Sequence, residues 1–288
     1  MSIKLLEPLS LKDVKWISVM EEPTNASLVS ATLPEDILAL IVEDVAQDTQ
    51  TALTLALVSK AVCRMVEPVL YASVTLPFVP SVRAFTATLR TKRRRVLAGI
   101  SALTLGVAIP RLFDDFWGLV STHCTHIAHL SLSAADLDAL QVTRLRPRHL
   151  SISFIGQPSS FPTYNLDTGE SELPGPWGHV SHLSLYHNSS IFFPSFDARL
   201  FPGLTHFSCY ISDPWPDARF LPVLQMLLAL PSLRFCVLRS ELGPGLFDAL
   251  FMSSLPHDRR IVVIRPPEVT DDSRHWEFAE REVASRRA

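Results

Sequence analysis

Apolar and polar positions follow two periods along this chain, one typical of helices and one typical of strands. Between Pro34 and Pro68, apolar residues recur at helical spacing in three short blocks that polar residues separate. Pro34 suits the start of the first helix, because its missing N–H needs no partner there, and Pro68 predicts the end of the third helix. The pattern therefore predicts three short helices, which together can bury only a small core.

A second pattern follows, in which one apolar residue is followed two positions later by another. Its copies stand about 20–33 residues apart, mostly at the spacing of leucine-rich repeats. Each pair places two side chains on one face of a strand, so stacked copies predict a parallel sheet. The pairs are Leu103/Leu105, Leu130/Leu132, Leu150/Ile152, Leu183/Leu185, Phe207/Cys209, Cys236/Leu238 and Val262/Ile264, with Val74/Leu76 as an opening strand.

The segments between these pairs predict the layer that covers the sheet. Four of them carry apolar residues at helical spacing: Ser81–Arg95, Pro110–Thr122, Asp217–Leu230 and Gly243–Ser254. The predicted fold class is α/β, with a three-helix module followed by an irregular leucine-rich-repeat solenoid built on a parallel sheet. Only Asn188 matches the turn asparagine of regular repeats, which predicts uneven turns and leaves a doubly wound α/β domain as the alternative.

The residues flanking each apolar pair must point to the opposite, concave face of the sheet. On four strands a histidine precedes the pair and a serine stands between its members, and on two of them a tyrosine follows. We predict that these side chains form a polar stripe that binds a target peptide. The predicted target-binding residues are His129, Ser131, His149, Ser151, His182, Ser184, Tyr186, His206, Ser208 and Tyr210.

The alternative for this stripe is a favoured strand sequence whose histidines stack without a ligand. Collinear imidazoles on separate strands do not converge as zinc requires, so we predict no metal site. Neighbouring imidazoles resist simultaneous protonation. We therefore expect their pKa values to be lowered and the stripe to be largely neutral at pH 7.

Composition limits the possible partners. The chain has 288 residues, of which 47% are hydrophobic, enough for a sizeable core. Lys and Arg total 26 against 29 Asp and Glu, a net charge of −3, so no global field attracts nucleic acid or an anionic membrane. Four widely spaced cysteines indicate buried thiols in a reducing compartment. No apolar run is long enough to span a bilayer. We expect a cytoplasmic or nuclear protein with no nucleic-acid or membrane partner.

The basic run Lys92-Arg93-Arg94-Arg95 has two interpretations, a nuclear-import signal or a solvated helix C-terminus. No motif for nucleophilic catalysis, phosphate binding or metalloprotease chemistry is present. We predict a protein that is not an enzyme, with no catalytic residue and no cofactor.

The first helical region resembles a known docking module. The sequences Leu33-Pro34, Ile37-Leu38, Ile41, Leu57-Val58-Ser59-Lys60 and Glu67-Pro68-Val69-Leu70-Tyr71 are similar to the F-box of repeat proteins abundant in mushroom-forming fungi. Many F-boxes have a tryptophan where this chain has Val62-Cys63-Arg64.

That resemblance implies binding to a Skp-type adaptor and, through it, to a cullin-RING (SCF-type) ubiquitin ligase, with the concave repeat face holding an unknown target protein. The implied adaptor-binding residues are Leu33, Pro34, Ile37, Leu38, Ile41, Leu57 and Val58. The alternative is a ligase-independent leucine-rich-repeat scaffold or binding module, in which the helices only cap the solenoid.

These patterns divide the chain into four parts. We predict a flexible lead-in over residues 1–30, the F-box-like module over 31–73, the solenoid over 74–266 with a surface excursion at 156–178, and a C-terminal capping helix within 267–288.

Overall fold

The protein, seen here in a computed structural model, is an α/β structure with one open, eight-stranded parallel sheet. The structure describes residues 34–46, 48–92, 94–110, 113, 115–141, 143–153, 177–186, 197–211, 220–240, 255–264 and 275–286. The helices are α1 (Glu35–Val45), α2 (Thr49–Ala56), α3 (Lys60–Leu70), α4 (Val79–Thr91), α5 (Arg94–Ala98), α6 (Phe116–His123), α7 (Leu137–Gln141), α8 (Phe220–Leu228) and α9 (His275–Ser285). The strands are β1 (Ser73–Leu76), β2 (Ala102–Leu105), β3 (His129–Ser133), β4 (His149–Ser153), β5 (His182–Tyr186), β6 (His206–Ile211), β7 (Phe235–Ser240) and β8 (Ile261–Ile264).

Helices α1 to α3 form a unit with its own small core, which we call the three-helix unit. Asp48 accepts a hydrogen bond from Thr51 N–H at 2.9 Å at the start of α2, and Ser59 accepts one from Val62 N–H at 3.2 Å at the start of α3. These N-cap bonds satisfy donors that a helix start leaves free. The core contains Val42, Ala46, Ala52 and Val66, with Leu38, Leu55, Ala56, Val62, Met65, Val69 and Leu70 packed around them.

The predicted end of the third helix at Pro68 is wrong, because α3 continues through Pro68 to Leu70. A proline removes one backbone donor, and near the end of a helix that loss affects only a single bond. Tyr71 N–H, three residues after Pro68, still bonds to the Glu67 carbonyl at 3.1 Å.

Every strand of the sheet pairs in parallel with the next strand along the chain, in the order β1 to β8. The opening strand predicted at Val74/Leu76 is confirmed as β1. A doubly wound sheet reverses its strand order at a switch point. The eight strands described here show no reversal, so that alternative does not describe this sheet.

The backbone carbonyl just before each of the strands β1 to β6 fixes the register of that strand with the next one. The Ala72 carbonyl accepts hydrogen bonds from Ser101 N–H at 2.9 Å and Ala102 N–H at 3.0 Å. The same paired contact recurs before each following strand, with the carbonyls of Ser101, Ala128, Arg148, Ser181 and Thr205 as acceptors. As a result the four strand histidines stand in direct register, His129 to His149 to His182 to His206.

The predicted apolar pairs of β2 to β7 face a layer of helices and form the main core. We call this side of the sheet the helix face and the opposite side the histidine face. The pairs pack against apolar side chains of α4, α6 and α8, which are Val82, Phe85, Leu89, Phe116, Trp117, Val120, Phe220, Val223, Leu224 and Leu227.

The prediction for the last strand is wrong by one residue. Cys236 pairs with Ile261 and Val237 pairs with Val262, so Ile261 and Val263 belong to the helix face. Val262 and Ile264 instead join a second apolar cluster on the histidine face. The carbonyl contact that sets the earlier registers is replaced here by Cys236 N–H donating to the Arg260 carbonyl at 2.9 Å. A shift of one residue exchanges the two faces of a strand.

The connecting helices follow the predictions, with adjusted boundaries. The segment Ser81–Arg95 contains most of α4 and the start of α5, which are separate helices. Lys92 follows the last residue of α4, whereas Arg94 and Arg95 begin α5, so the helix C-terminus interpretation of the basic run fits only its first residue. The segment Gly243–Ser254 and the lead-in 1–30 lie outside the described residues, as do residues 156–176 of the predicted excursion. Its next residue, Trp177, is 1% exposed and belongs to the core, so any surface excursion ends before it.

A short link joins the three-helix unit to the sheet. Only Tyr71 and Ala72 separate α3 from β1, and the Ala72 carbonyl accepts a third hydrogen bond, from Ser101 Oγ at 3.0 Å. Beside the link, Lys92 forms an ion pair with Glu67, and its Nζ lies 5.8 Å from the centre of the Tyr71 ring. The unit is thus tied to the first two strands and to the end of α4, the first of the two helices between them.

None of the helices in the described parts of the chain combines the length and the apolar character needed to cross a membrane.

Candidate functional site

The histidine face carries a continuous stack of four imidazole rings, which we call the imidazole stack. Ring centres of His129 and His149 are 4.2 Å apart, those of His149 and His182 are 3.9 Å apart, and those of His182 and His206 are 4.0 Å apart. The last two pairs are nearly parallel, at 9° and 7°. The in-register strands, spaced about 4.8 Å apart, place one ring above the next.

The hydroxyl group of the preceding residue fixes the orientation of two of these rings. His182 Nδ1 lies 2.9 Å from Ser181 Oγ, and His206 Nδ1 lies 2.7 Å from Thr205 Oγ1. Each hydroxyl also donates its only hydrogen to a carbonyl, at 3.2 Å for Ser181 and 2.9 Å for Thr205. A carbonyl oxygen can only accept, so the hydroxyl hydrogen is used in that bond. Each Nδ1 therefore carries a hydrogen and donates it to the hydroxyl oxygen. Each Nε2 is therefore left as an acceptor.

The predicted lowering of the histidine pKa values is confirmed for three rings. Burial lowers the pKa of His149, His182 and His206 from the usual 6.5 to about 4. Charge on neighbouring imidazoles lowers the first two further, and Arg234 acts in the same direction on the pKa of His206. Burial is thus the main cause, ahead of the mutual repulsion that the sequence suggested. These rings are neutral at pH 7.

Helix α9 lies on the histidine face, whereas the sequence suggested that it caps the end of the sheet. Its Ala279 and Val283 pack against three aliphatic side chains of β7 and β8, which are Val237, Val262 and Ile264. Its Trp276 stands edge-on to His182 and His206, with ring centres 5.5 Å away in both cases. At its end, Arg286 donates to the Ile261 carbonyl of β8 at 2.8 Å. The helix covers the β6 to β8 part of the face.

This cover removes part of the predicted target-binding surface. His206 is 6% exposed and Ser208 is fully buried, so neither side chain is accessible to a protein partner. Glu280 Oε1 of α9 lies 3.5 Å from His206 Nε2, without the geometry of a hydrogen bond. The predicted contact role of these two residues is therefore wrong for this arrangement of α9.

The open part of the face forms a groove of about 290 Å³. His275 and Trp276 of α9 form part of its lining, which also includes Thr104 of β2. Seven of the ten predicted target-binding residues line it: His129, Ser131, His149, Ser151, His182, Ser184 and Tyr186. Ser184 lies at the bottom, with 4% exposure. The groove combines imidazole rings, of which those of His149 and His182 are neutral, with hydroxyl groups that can donate and accept hydrogen bonds.

The two predicted tyrosines hold a cation of the chain itself. The guanidinium of Arg239 lies 4.5 Å from the centre of the Tyr186 ring and 5.6 Å from that of Tyr210. Such cation–π contacts gain strength when the cation is desolvated, and Arg239 is buried. Tyr210 is therefore occupied within the chain, while Tyr186 contacts both Arg239 and the groove.

The described imidazoles do not form a metal site, and three of the thiols are buried. The imidazoles stack face to face, and no group of three or more potential metal ligands converges in the described residues. All four cysteines are free thiols. Burial raises the pKa of Cys124 and Cys209 to about 12 and that of Cys236 well above its usual range, so these thiols stay protonated.

A second candidate surface lies on the three-helix unit. Seven of the ten exposed large apolar side chains in the described residues belong to it, with exposures of 44% to 66%. Ile37, Ile41 and Val45 stand four residues apart on α1 and share one helix face. We call the seven the exposed apolar set: Ile37, Leu40, Ile41, Val45, Leu53, Leu57 and Val58.

The predicted adaptor-binding residues divide into three groups. Ile37, Ile41, Leu57 and Val58 are exposed, and so is Pro34 at the start of α1. Leu38 is half-buried against the small core, so it supports the unit from inside. Leu33 lies outside the described residues.

Sequence reasoning did not assign Leu40, Val45 and Leu53 to the adaptor-binding residues. For Leu40 and Val45, the helical spacing from Ile37 and Ile41 was a usable signal.

Comparisons of this chain with protein-family models, with curated proteins and with solved structures find no match.

Proposed function

We propose that this protein is a non-catalytic substrate-recognition subunit of an SCF-type ubiquitin ligase. In this proposal the three-helix unit is an F-box that binds a Skp-type adaptor, and the sheet is the inner layer of an irregular leucine-rich-repeat solenoid that binds the target. The sequential, all-parallel strand order supports the solenoid, because each repeat then contacts only its neighbours.

The exposed apolar set is the observation that carries the proposal. Seven large apolar side chains of this small unit are exposed, and such a concentration of exposed apolar side chains marks an interaction site, whereas singly scattered ones do not. Full burial of one such side chain contributes about 1.5–3 kcal/mol. An apolar groove on a helical adaptor is a partner of matching chemistry, as in helix-in-groove recognition.

The link between unit and sheet supports a joint function. The three hydrogen bonds to the Ala72 carbonyl and the Glu67–Lys92 ion pair hold α3 against the first turn of the solenoid. A docked adaptor would thereby have a defined orientation relative to the histidine face. Transfer of ubiquitin to a bound target benefits from such an orientation, because it holds the reacting groups near each other.

Binding to a purified Skp-type adaptor tests the proposal. We expect the wild-type chain to form a complex, and Ile41→Asp or Leu57→Asp to weaken it at least about tenfold, because each change places a charge in an apolar interface. Met226→Asp is the matched control, since Met226 is 41% exposed on α8, far along the chain from the unit, and Ile41 is 47% exposed. Circular dichroism checks that each variant is folded.

Failure of the wild-type chain to bind, under conditions in which an established F-box protein binds, would contradict the ligase role. The remaining explanation would be the ligase-independent scaffold, in which the helices only cap the solenoid. An equal loss of binding in Met226→Asp would show that the apolar set is not the contact surface.

A further inference from the structure

The imidazole stack has two unlike ends. At one end, Phe235 of β7 continues the stack beyond His206, with ring centres 4.8 Å apart. At the other end, the residue in register with His129 is Ala102 of β2, whose methyl group cannot cover a ring. His129 is exposed, and its ring contact in the described residues is with His149 alone. No second ring of the described residues covers the other face of the His129 ring, and we call the space beside that face, above Ala102, the ring slot.

The dimensions of the ring slot suit one flat side chain. Neighbouring rings in the stack are 3.9 to 4.2 Å apart, so a ring above Ala102 would continue the series at the next strand step. The slot adjoins the groove of about 290 Å³, whose lining includes His129 and reaches β2 at Thr104 but does not include Ala102. One flat side chain at this end of the groove would match the spacing of the stack.

We infer that the ring slot binds an aromatic side chain of the target protein, stacked on His129 above Ala102. This inference rests on the proposed role of the histidine face as the target surface. The chain already uses aromatic rings on this face, with Phe235 at the far end of the stack and Trp276 against its edge. No carboxylate lines the groove in the described residues, so the site offers a cation no ionic partner.

Small probes test the slot with the full-length protein. N-acetyl-L-tryptophanamide and N-acetyl-L-phenylalaninamide supply an aromatic ring, while N-acetyl-L-leucinamide and N-acetyl-L-argininamide supply an aliphatic and a cationic side chain. We expect the two aromatic probes to cause saturable upfield shifts of the His129 ring protons and the Ala102 methyl protons in NMR spectra, as ring currents from a stacked probe require. The leucine and arginine probes should leave these signals unchanged.

Two substitutions locate the effect. Ala102→Phe fills the slot from within the chain and should abolish the probe-induced shifts, whereas Ala102→Ser keeps the slot open and should preserve them. His129→Leu removes the stacking platform and should weaken aromatic probe binding about two- to tenfold, the range for loss of one aromatic pair. Because these variants change opposite sides of the slot, misfolding of one leaves the other as a test.

Saturable shifts of the same signals with the leucine or arginine probe would overturn the inference, and so would undiminished binding of the aromatic probes to Ala102→Phe. None of these measurements involves an adaptor. A protein that binds the aromatic probes but no Skp-type adaptor retains the ring slot and loses the ligase role, and the converse result loses only the slot.

Discussion

Acid should destabilise this fold more steeply than its composition suggests, because three rings of the imidazole stack are buried in the neutral form. The pKa values of His149, His182 and His206 are lowered from 6.5 to about 4 in the folded chain. Between pH 6.5 and pH 4 the unfolded chain takes up a proton at each ring and the folded chain does not. Lowering the pH therefore stabilises the unfolded state, and the free energy of unfolding falls.

The size of the effect follows from the number of protons. Burial raises the pKa of Asp136 from 3.8 to about 6, so this carboxyl takes up its proton in the folded chain first and opposes the trend. Three histidines less one aspartate leave two protons, which corresponds to an upper limit of about 2.7 kcal/mol per pH unit. Over the 2.5 pH units between 6.5 and 4 the loss is at most about 7 kcal/mol, so a chain whose stability lies near the lower end of the usual range of about 5–15 kcal/mol should unfold near pH 4–5.

Urea unfolding at a series of pH values between 4 and 8 measures this slope. His206→Phe should reduce the slope by one proton, about 1.4 kcal/mol per pH unit, because phenylalanine stacks like Phe235 but does not titrate. Phe207→Leu is the control, since it alters the helix face of the same strand and lowers stability without removing a titrating group.

A free energy of unfolding that is constant or rises as the pH falls from 6.5 to 4 would contradict this account. NMR titrations that give these three rings pKa values at or above 6.5 would do the same.

Four further substitutions test the position of α9, the buried carboxyl of Asp136 and two ion pairs. Trp276→Ala should lower the free energy of unfolding by about 1–3 kcal/mol and shift the ring signals of the stack, because it removes the edge contact of α9; unchanged ring signals would place α9 elsewhere. Asp136→Asn should remove the opposing pH term, so that stability relative to wild type rises by up to about 3 kcal/mol from pH 4 to pH 7 in urea unfolding; a constant difference would contradict the raised pKa. Glu67→Gln should lower the melting temperature slightly, by the equivalent of about 0.2–1 kcal/mol, because it loses the ion pair with Lys92. Arg90→Gln breaks a more exposed ion pair and should lower the melting temperature less.

Strand positions were predictable from the sequence because a strand alternates its side chains with a strict period of two. That period, repeated from Leu103 to Leu238, placed the core pairs on one face and the histidines on the other. At Val262 the prediction failed, since four consecutive apolar residues do not show which two face the helices and which two face the other side. The register there is set by the contact of Cys236 with the Arg260 carbonyl, which no side-chain pattern records.

The position of α9 was harder to predict, because its apolar stripe fits several surfaces. A signal was nevertheless present in β7, where Phe235 and Val237 take the places that histidine and serine hold in β3 to β6. Apolar residues at outward positions of a strand require a cover. Combined with the stripe of Ala279 and Val283, that change predicts where the helix packs.

The short link at Ala72 sets a distance as well as an orientation. The ring slot lies above β2 beside β3, so β1 and the link are at most two strand spacings away, about 10 Å. In the proposed assembly, a target held in the slot would lie next to the ligase-binding unit. If the open end of the stack lay one strand further along the sheet, the target would be displaced by about 5 Å. The strand that carries the open end therefore sets the distance between ligase and target in steps of one strand spacing.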